Sequence, residues 1–99
     1  MKDCLCGVFA PIVTPFQEDG TIDFQALKRN IEKLFQTRLR GYFALGTNGE
    51  FRSLTSSEKL KVIEIVLEAK GDKILIGGAS CESTFESIQL ARDLVSLGV

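Results

Sequence analysis

Between an apolar run at residues 42–45 and a helix start at Thr55 lies the stretch Gly46-Thr47-Asn48-Gly49-Glu50. Two glycines around a hydroxyl and an amide, just past a strand, let main-chain N–H groups converge on a small anion. The chemistry such a loop supports is the grip of an anionic group. Glycine-rich strand-to-helix turns also occur with no role beyond turning the chain, so the surroundings decide what this one means. What the chain lacks bounds the rest. It has no histidine, so neither a Ser-His-Asp or Cys-His nucleophile system nor an imidazole proton shuttle can be built from these residues alone. Its three cysteines, Cys4, Cys6 and Cys81, are an odd number without zinc-site spacing, which predicts reduced thiols and no metal.

The 99 residues are 44% hydrophobic and 25% charged, the composition of an ordinary folded domain. A net charge of −1, with basic and acidic residues interspersed, leaves no basic stripe for nucleic acid or for an anionic membrane surface. No apolar run approaches the roughly 18 to 20 residues of a spanning helix, and no signal-peptide pattern opens the chain. A cytoplasmic protein is expected.

The loop is positioned by a repeating pattern of elements. Residues 7–14 are apolar throughout, as in a strand buried on both faces, although Pro11 requires its missing N–H to face an edge or a bulge. Asp19-Gly20 turns the chain, and Asp23 is the expected N-cap of a helix over 24–37 with its apolar stripe at Phe24, Leu27, Ile31, Leu34 and Phe35. A second strand over 42–45 delivers the loop. Thr55 and Glu58 have capping-box spacing before a helix whose core face is Leu60, Ile63, Val66 and Leu67, ending near Lys70-Gly71. A third strand over 73–78 again ends in glycine. Ser83 and Glu86 repeat the capping-box spacing, and Ile88, Ala91, Leu94 and Val95 carry the last helix to a stop at Gly98.

Equivalent strand positions (Val8, Tyr42, Ile74) recur about every 32 to 34 residues, the size of a βα unit, which predicts parallel strands and right-handed crossovers. An open doubly wound sheet and part of a closed (β/α)₈ barrel both satisfy this pattern. In either, Thr14, the 46–50 loop and the turn at residues 77–80 share the rim at the C-terminal strand ends, and Cys6 is expected to pack at the other end. A whole barrel takes around 250 residues, so three units imply a truncated domain, with Val99 as the first residue of a fourth strand.

Taken together, Gly7-Val8-Phe9-Ala10-Pro11-Ile12-Val13-Thr14-Pro15-Phe16, the 46–50 loop, Leu54-Thr55-Ser56-Ser57-Glu58 and the turn at Gly78 resemble, in order and spacing, the N-terminal third of the dihydrodipicolinate synthase and N-acetylneuraminate lyase family. The resemblance implies an α/β fold, the first three βα units of a (β/α)₈ TIM barrel, in a parent that is a homotetramer. It implies class I aldolase or lyase chemistry through a lysine Schiff base with pyruvate or a related 2-oxo acid, with no metal or organic cofactor. Thr47 and Asn48 then fall where the family holds the substrate carboxylate, and Thr47 where it places a catalytic hydroxyl in a tyrosine proton relay. Gly46 and Gly49 shape the loop backbone, and Glu50 is expected to accept from loop or helix N–H groups. Asn48 departs from the Gly-Thr-Thr-Gly-Glu of the synthases and, with Leu54-Thr55-Ser56-Ser57-Glu58 and Cys81-Glu82-Ser83-Thr84, is more similar to 4-hydroxy-2-oxoglutarate aldolases. Glu82 stands where lysine-regulated synthases have asparagine, so lysine inhibition is not expected, although Glu86 fits that site's acidic position.

The nucleophile is missing. Lys28, Lys33, Lys59, Lys61 and Lys70 fall on helices with polar surroundings, and Lys73 opens a strand at the wrong end. None sits in a buried strand, where desolvation would leave a free amine near neutral pH. The 99 residues alone are therefore expected to be catalytically silent. A non-catalytic βα module that binds an anion or makes a subunit contact is the alternative.

Overall fold

Three short parallel strands carry the loops. The computed structural model describes residues 5–99, with β1 at Phe9–Pro11, β2 at Gly41–Ala44 and β3 at Ile74–Gly77 in the order β1-β2-β3. Between and after them run α1 (Phe24–Phe35), α2 (Ser56–Ala69) and α3 (Thr84–Leu97). Helix α1 packs on α2 and α2 on α3, so both crossovers lie on one face of the sheet. A doubly wound sheet must reverse its strand order at a switch point. The sequential order found here is the winding of a (β/α)₈ barrel.

Register partners share a face of the sheet. Ala10, Tyr42 and Leu75 form one level and point toward the helices, where Tyr42 is fully buried within the same core as Leu27, Ile31, Ile63 and Val66. The neighbouring level, Pro11, Phe43 and Ile76, points the other way, and Phe43 and Val13 are exposed there. β1 is shorter than the sequence suggests. Ile12 N–H still donates to Phe43 O at 2.9 Å, after which the chain leaves the ladder. Because successive residues of a parallel strand bond to opposite sides, Pro11 turns its missing donor to the open edge, as its presence requires.

The caps explain the helix limits. Asp23 Oδ1 accepts from Ala26 N–H at 2.9 Å, and α1 ends two residues before the expected Thr37, whose N–H and hydroxyl both fold back onto Leu34 O. At α2 the capping box is complete: Glu58 N–H donates to Thr55 Oγ1 and Thr55 N–H to Glu58 Oε1. At α3 only half of it forms, with Ser83 Oγ accepting from Glu86 N–H. The exposed Glu86 carboxylate does not return to Ser83. Gly98, left-handed at φ 109°, closes α3, and Val99 N–H completes the cap on Leu94 O.

Two core stripes overlap their expected positions only in part, sharing Leu94 in α3 and Ile63 and Val66 in α2. Helix α3 buries Leu90 and Leu94, whereas Ile88 and Val95 are 48% and 69% exposed. The meridian facing α2 thus runs one step away from the one the apolar residues suggest, since α3 has more than one apolar face. In α2 the buried positions are Lys59, Val62, Ile63 and Val66, with Leu60 and Leu67 only half-buried, because this helix is flanked on both sides. Cys6 is exposed instead of packed, and Cys4 lies outside the described residues.

Tyr42 carries a cost. Its hydroxyl is buried with no hydrogen-bond partner among the described residues, and burial pushes its pKa up. A buried hydroxyl without a partner forfeits about 1–3 kcal/mol. Tyr42→Phe is expected to raise the midpoint of urea unfolding, while Tyr42→Ala, which empties the same space, lowers stability by about 3–5 kcal/mol. Thr55→Ala removes the α2 cap and is expected to cost about 1 kcal/mol in the same measurement.

Candidate functional site

The three strand ends form one rim, and hydrogen bonds stitch it together. β1 ends toward Thr14, whose buried hydroxyl donates to Gly49 O at 2.7 Å. β3 ends at Gly77, and the next residue, Gly78, donates its N–H to Ala44 O at 2.8 Å. The loop after β2 is therefore held from both sides.

Within that loop Thr47–Gly49 forms a single 3₁₀ turn, followed by a second at Phe51–Ser53. Gly49 N–H donates to Gly46 O and Glu50 N–H to Thr47 O, both at 3.0 Å. Those two amides are used internally, and of the loop N–H groups left over, with Gly46 half-buried, the exposed ones are those of Thr47 and Asn48. Their N–H groups open the turn, where no intrahelical acceptor exists, and no acceptor among the described residues takes them. Both residues are exposed, and neither side chain is hydrogen-bonded within the described residues.

The glycines serve space more than dihedral freedom. A Cβ at Gly46 would lie 2.9 Å from the Phe43 ring, and one at Gly49 would lie 3.0 Å from Ile12 O. The left-handed residues are instead Leu45 at φ 61° and Glu50 at φ 56°, one on each flank of the loop. Non-glycine residues in that region cost on the order of 1–3 kcal/mol and persist where the surroundings over-determine them, as at binding sites. Sequence reasoning had no signal for Leu45, because leucine carries none of the usual marks of a left-handed residue. Glu50 contributes through its backbone: its carbonyl accepts from Ser53 N–H, while its exposed carboxylate accepts from no N–H group among the described residues.

The lysines are placed as follows. Lys28, Lys33 and Lys61 are exposed on helices. Lys70 donates to Gly71 O and Lys73 O, and Lys73 to Thr37 O and Leu39 O, so both brace the end of the sheet opposite the rim. Lys59 is the exception to polar surroundings. It is only 8% exposed, with its Nζ 3.9 Å from Cys81 Sγ and 5.7 Å from the centre of the Phe51 ring. None of these six lies on a strand pointing into the rim. No group of three or more potential metal ligands occurs among the described residues, and no helix there is long and apolar enough to cross a membrane.

Comparison with known proteins extends this geometry. The chain is 39% identical over 92 residues to a 4-hydroxy-tetrahydrodipicolinate synthase of Methanothrix thermoacetophila, covering 93% of the chain and 31% of that protein. It superposes with a TM-score of 0.90 on the N-acetylneuraminate lyase of Mycoplasma synoviae, at 29% identity over 99% of the chain and 34% of the other. For a dihydrodipicolinate synthase of Aquifex aeolicus the TM-score is 0.87 and the identity 32%, over 94% of the chain and 32% of the other. The chain thus spans about a third of the length of these relatives. Residues 4–99 match the Dihydrodipicolinate synthetase family, and with strand order, rim and sequence all in agreement, the chain belongs to that family.

Proposed function

We propose that these residues are the N-terminal βα part of a class I aldolase or lyase that forms a Schiff base with pyruvate or a related 2-oxo acid. The observation that carries this reading is the pair of exposed, unsatisfied amides at Thr47 and Asn48, held on the rim by the Thr14 to Gly49 hydrogen bond. A 2-oxo acid places a carboxylate beside a ketone, so anchoring the anion there holds the ketone carbon for attack by a neutral amine. Thr47 contributes its hydroxyl to proton transfer as carbinolamine and imine form. Asn48 supplies an amide to the carboxylate or to the acceptor.

The other two groups of the reaction come from outside these residues. The chain contains one tyrosine, Tyr42, whose hydroxyl is buried on the helix side of the sheet and cannot join a relay at the rim. The lysines described above are likewise off the rim, which supports a nucleophile on a later strand and a piece that is inactive by itself. The names carried by its relatives support a 4-hydroxy-tetrahydrodipicolinate synthase parent, whereas Asn48 supports a 4-hydroxy-2-oxoglutarate aldolase-like one; in either case we propose a cytoplasmic homotetramer.

Treating the full-length parent with pyruvate and borohydride is expected to leave a covalent adduct on a lysine beyond residue 99, and none on the 99-residue chain. No adduct in the parent would favour the non-catalytic alternative, and an adduct on one of the lysines described here would overturn the placement of the nucleophile. In the parent, Thr47→Val should lower kcat by on the order of 10²-fold or more, the range for a lost proton-transfer group. Thr14→Val leaves the buried Gly49 carbonyl without its donor and should raise KM for the oxo acid with a smaller effect on kcat. Asn48→Thr should keep oxo-acid binding and change the preferred acceptor aldehyde, as read by competing acceptors in one assay.

A further inference from the structure

Lys59 is a buried cation without an anion. It lies on α2 in the first turn after the capping box, and no carboxylate among the described residues comes within ion-pair distance of it. Burying an ammonium group without a counter-charge is costly, so its retention asks for a reason. Its nearest polar atom is Cys81 Sγ, in the segment between β3 and α3, where Cys81 N–H is fixed by donation to Ser87 Oγ at 3.0 Å. Both side chains line a cleft of ≈ 360 Å³ between α2 and α3 that also includes Phe51, Ser80 and the exposed Arg52 and Glu82. A small solute reaches the sulfur through that cleft.

We infer that Lys59 and Cys81 form a peroxide-sensitive pair, which closes a reversible sulfur–nitrogen cross-link between α2 and the entry to α3. In the first step the Cys81 sulfur attacks hydrogen peroxide. An S–O bond forms, the O–O bond breaks, the sulfur gives up two electrons, and the departing hydroxide takes the thiol proton to leave as water. In the second step the Lys59 ammonium gives a proton to solvent, and the amine so formed attacks the sulfenic sulfur. The S–N bond forms, the S–O bond breaks, and the hydroxyl leaves with a proton from nitrogen as a second water. Thiol, amine and one peroxide thus become sulfenamide and two waters, and no further oxidant is needed. A small thiol reverses it by attacking the sulfur and releasing the amine; a second thiol then frees Cys81.

The competing fate of a sulfenic acid is a disulfide. Cys6 cannot supply it, because it lies at the opposite end of the sheet beside Arg40 and Lys73. The amine at 3.9 Å is the resolving group that the fold provides. Since Phe51 follows Glu50 directly and walls the same cleft, the cross-link would stiffen the support behind the rim.

The test uses the folded full-length protein carrying Cys4→Ser and Cys6→Ser, treated with hydrogen peroxide and followed by intact mass and peptide mapping. The expected product is about 2 Da lighter than the reduced protein, contains the Lys59 peptide joined to the Cys81 peptide, and returns to the starting mass with dithiothreitol. It should not form in concentrated urea. Lys59→Arg and Lys59→Met, which remove the primary amine in different ways, should each stop at a sulfenic acid that dimedone labels, and Cys81→Ser should show neither product. Equal dimedone labelling of Cys81 with and without Lys59, and no joined peptide, would overturn the inference.

Discussion

One hydrogen bond sets the geometry of the rim. Thr14 and Gly49 are 35 residues apart in sequence, and the bond between the Thr14 hydroxyl and the Gly49 carbonyl requires β1 to leave its ladder and cross toward the loop that follows β2. The shortness of β1 follows from that demand. So does the burial of Gly49, whose carbonyl would otherwise be an unsatisfied polar group beneath the surface. With Gly49 pinned, the preceding residues close a tight turn, and the turn consumes two amides and releases two. Chain reversal and the outward release of the Thr47 and Asn48 amides are here the same structural event, and the left-handed backbone at Leu45 and Glu50 is the strain it stores.

Much of this was legible in the sequence because it is local. A cap is read from residues three apart, and Asp23, Thr55 and Ser83 all start helices where their side chains predict. The spacing of the βα unit is a chain-length property, so strand order and the shared rim came with it. Meridian choice in α3 was not local. Leu90 and Leu94 face the core while Ile88 and Val95 do not, a distinction made by the neighbouring helix and not by α3 itself. The division of the loop's amides into used and unused ones likewise depends on hydrogen bonds that residue types do not encode. For Glu86, spacing suggested a reciprocal bond that its exposed carboxylate does not make.

The two buried polar groups on the helix side illustrate how unequal such groups are. Tyr42 brings a large apolar ring into the core, and its hydroxyl is a penalty that the ring's burial outweighs. Lys59 buries a long aliphatic stem and sets its terminal nitrogen over the Phe51 ring, so most of what is buried is apolar and only the nitrogen is exposed to the cost. Neither position was singled out by patterning, since a tyrosine in a strand and a lysine on a helix are both unremarkable by type.

Pro11 has an effect beyond its own strand. The outer side of β1 offers its carbonyls but lacks a donor at this residue, so any strand that docks there meets one missing rung. For a second copy of the chain, that gap discourages open-ended sheet growth along this edge. For the closing strand of a barrel, it makes the junction with β1 a seam joined more loosely than the β1-β2 ladder, and such a seam is where the cylinder would first part under stress.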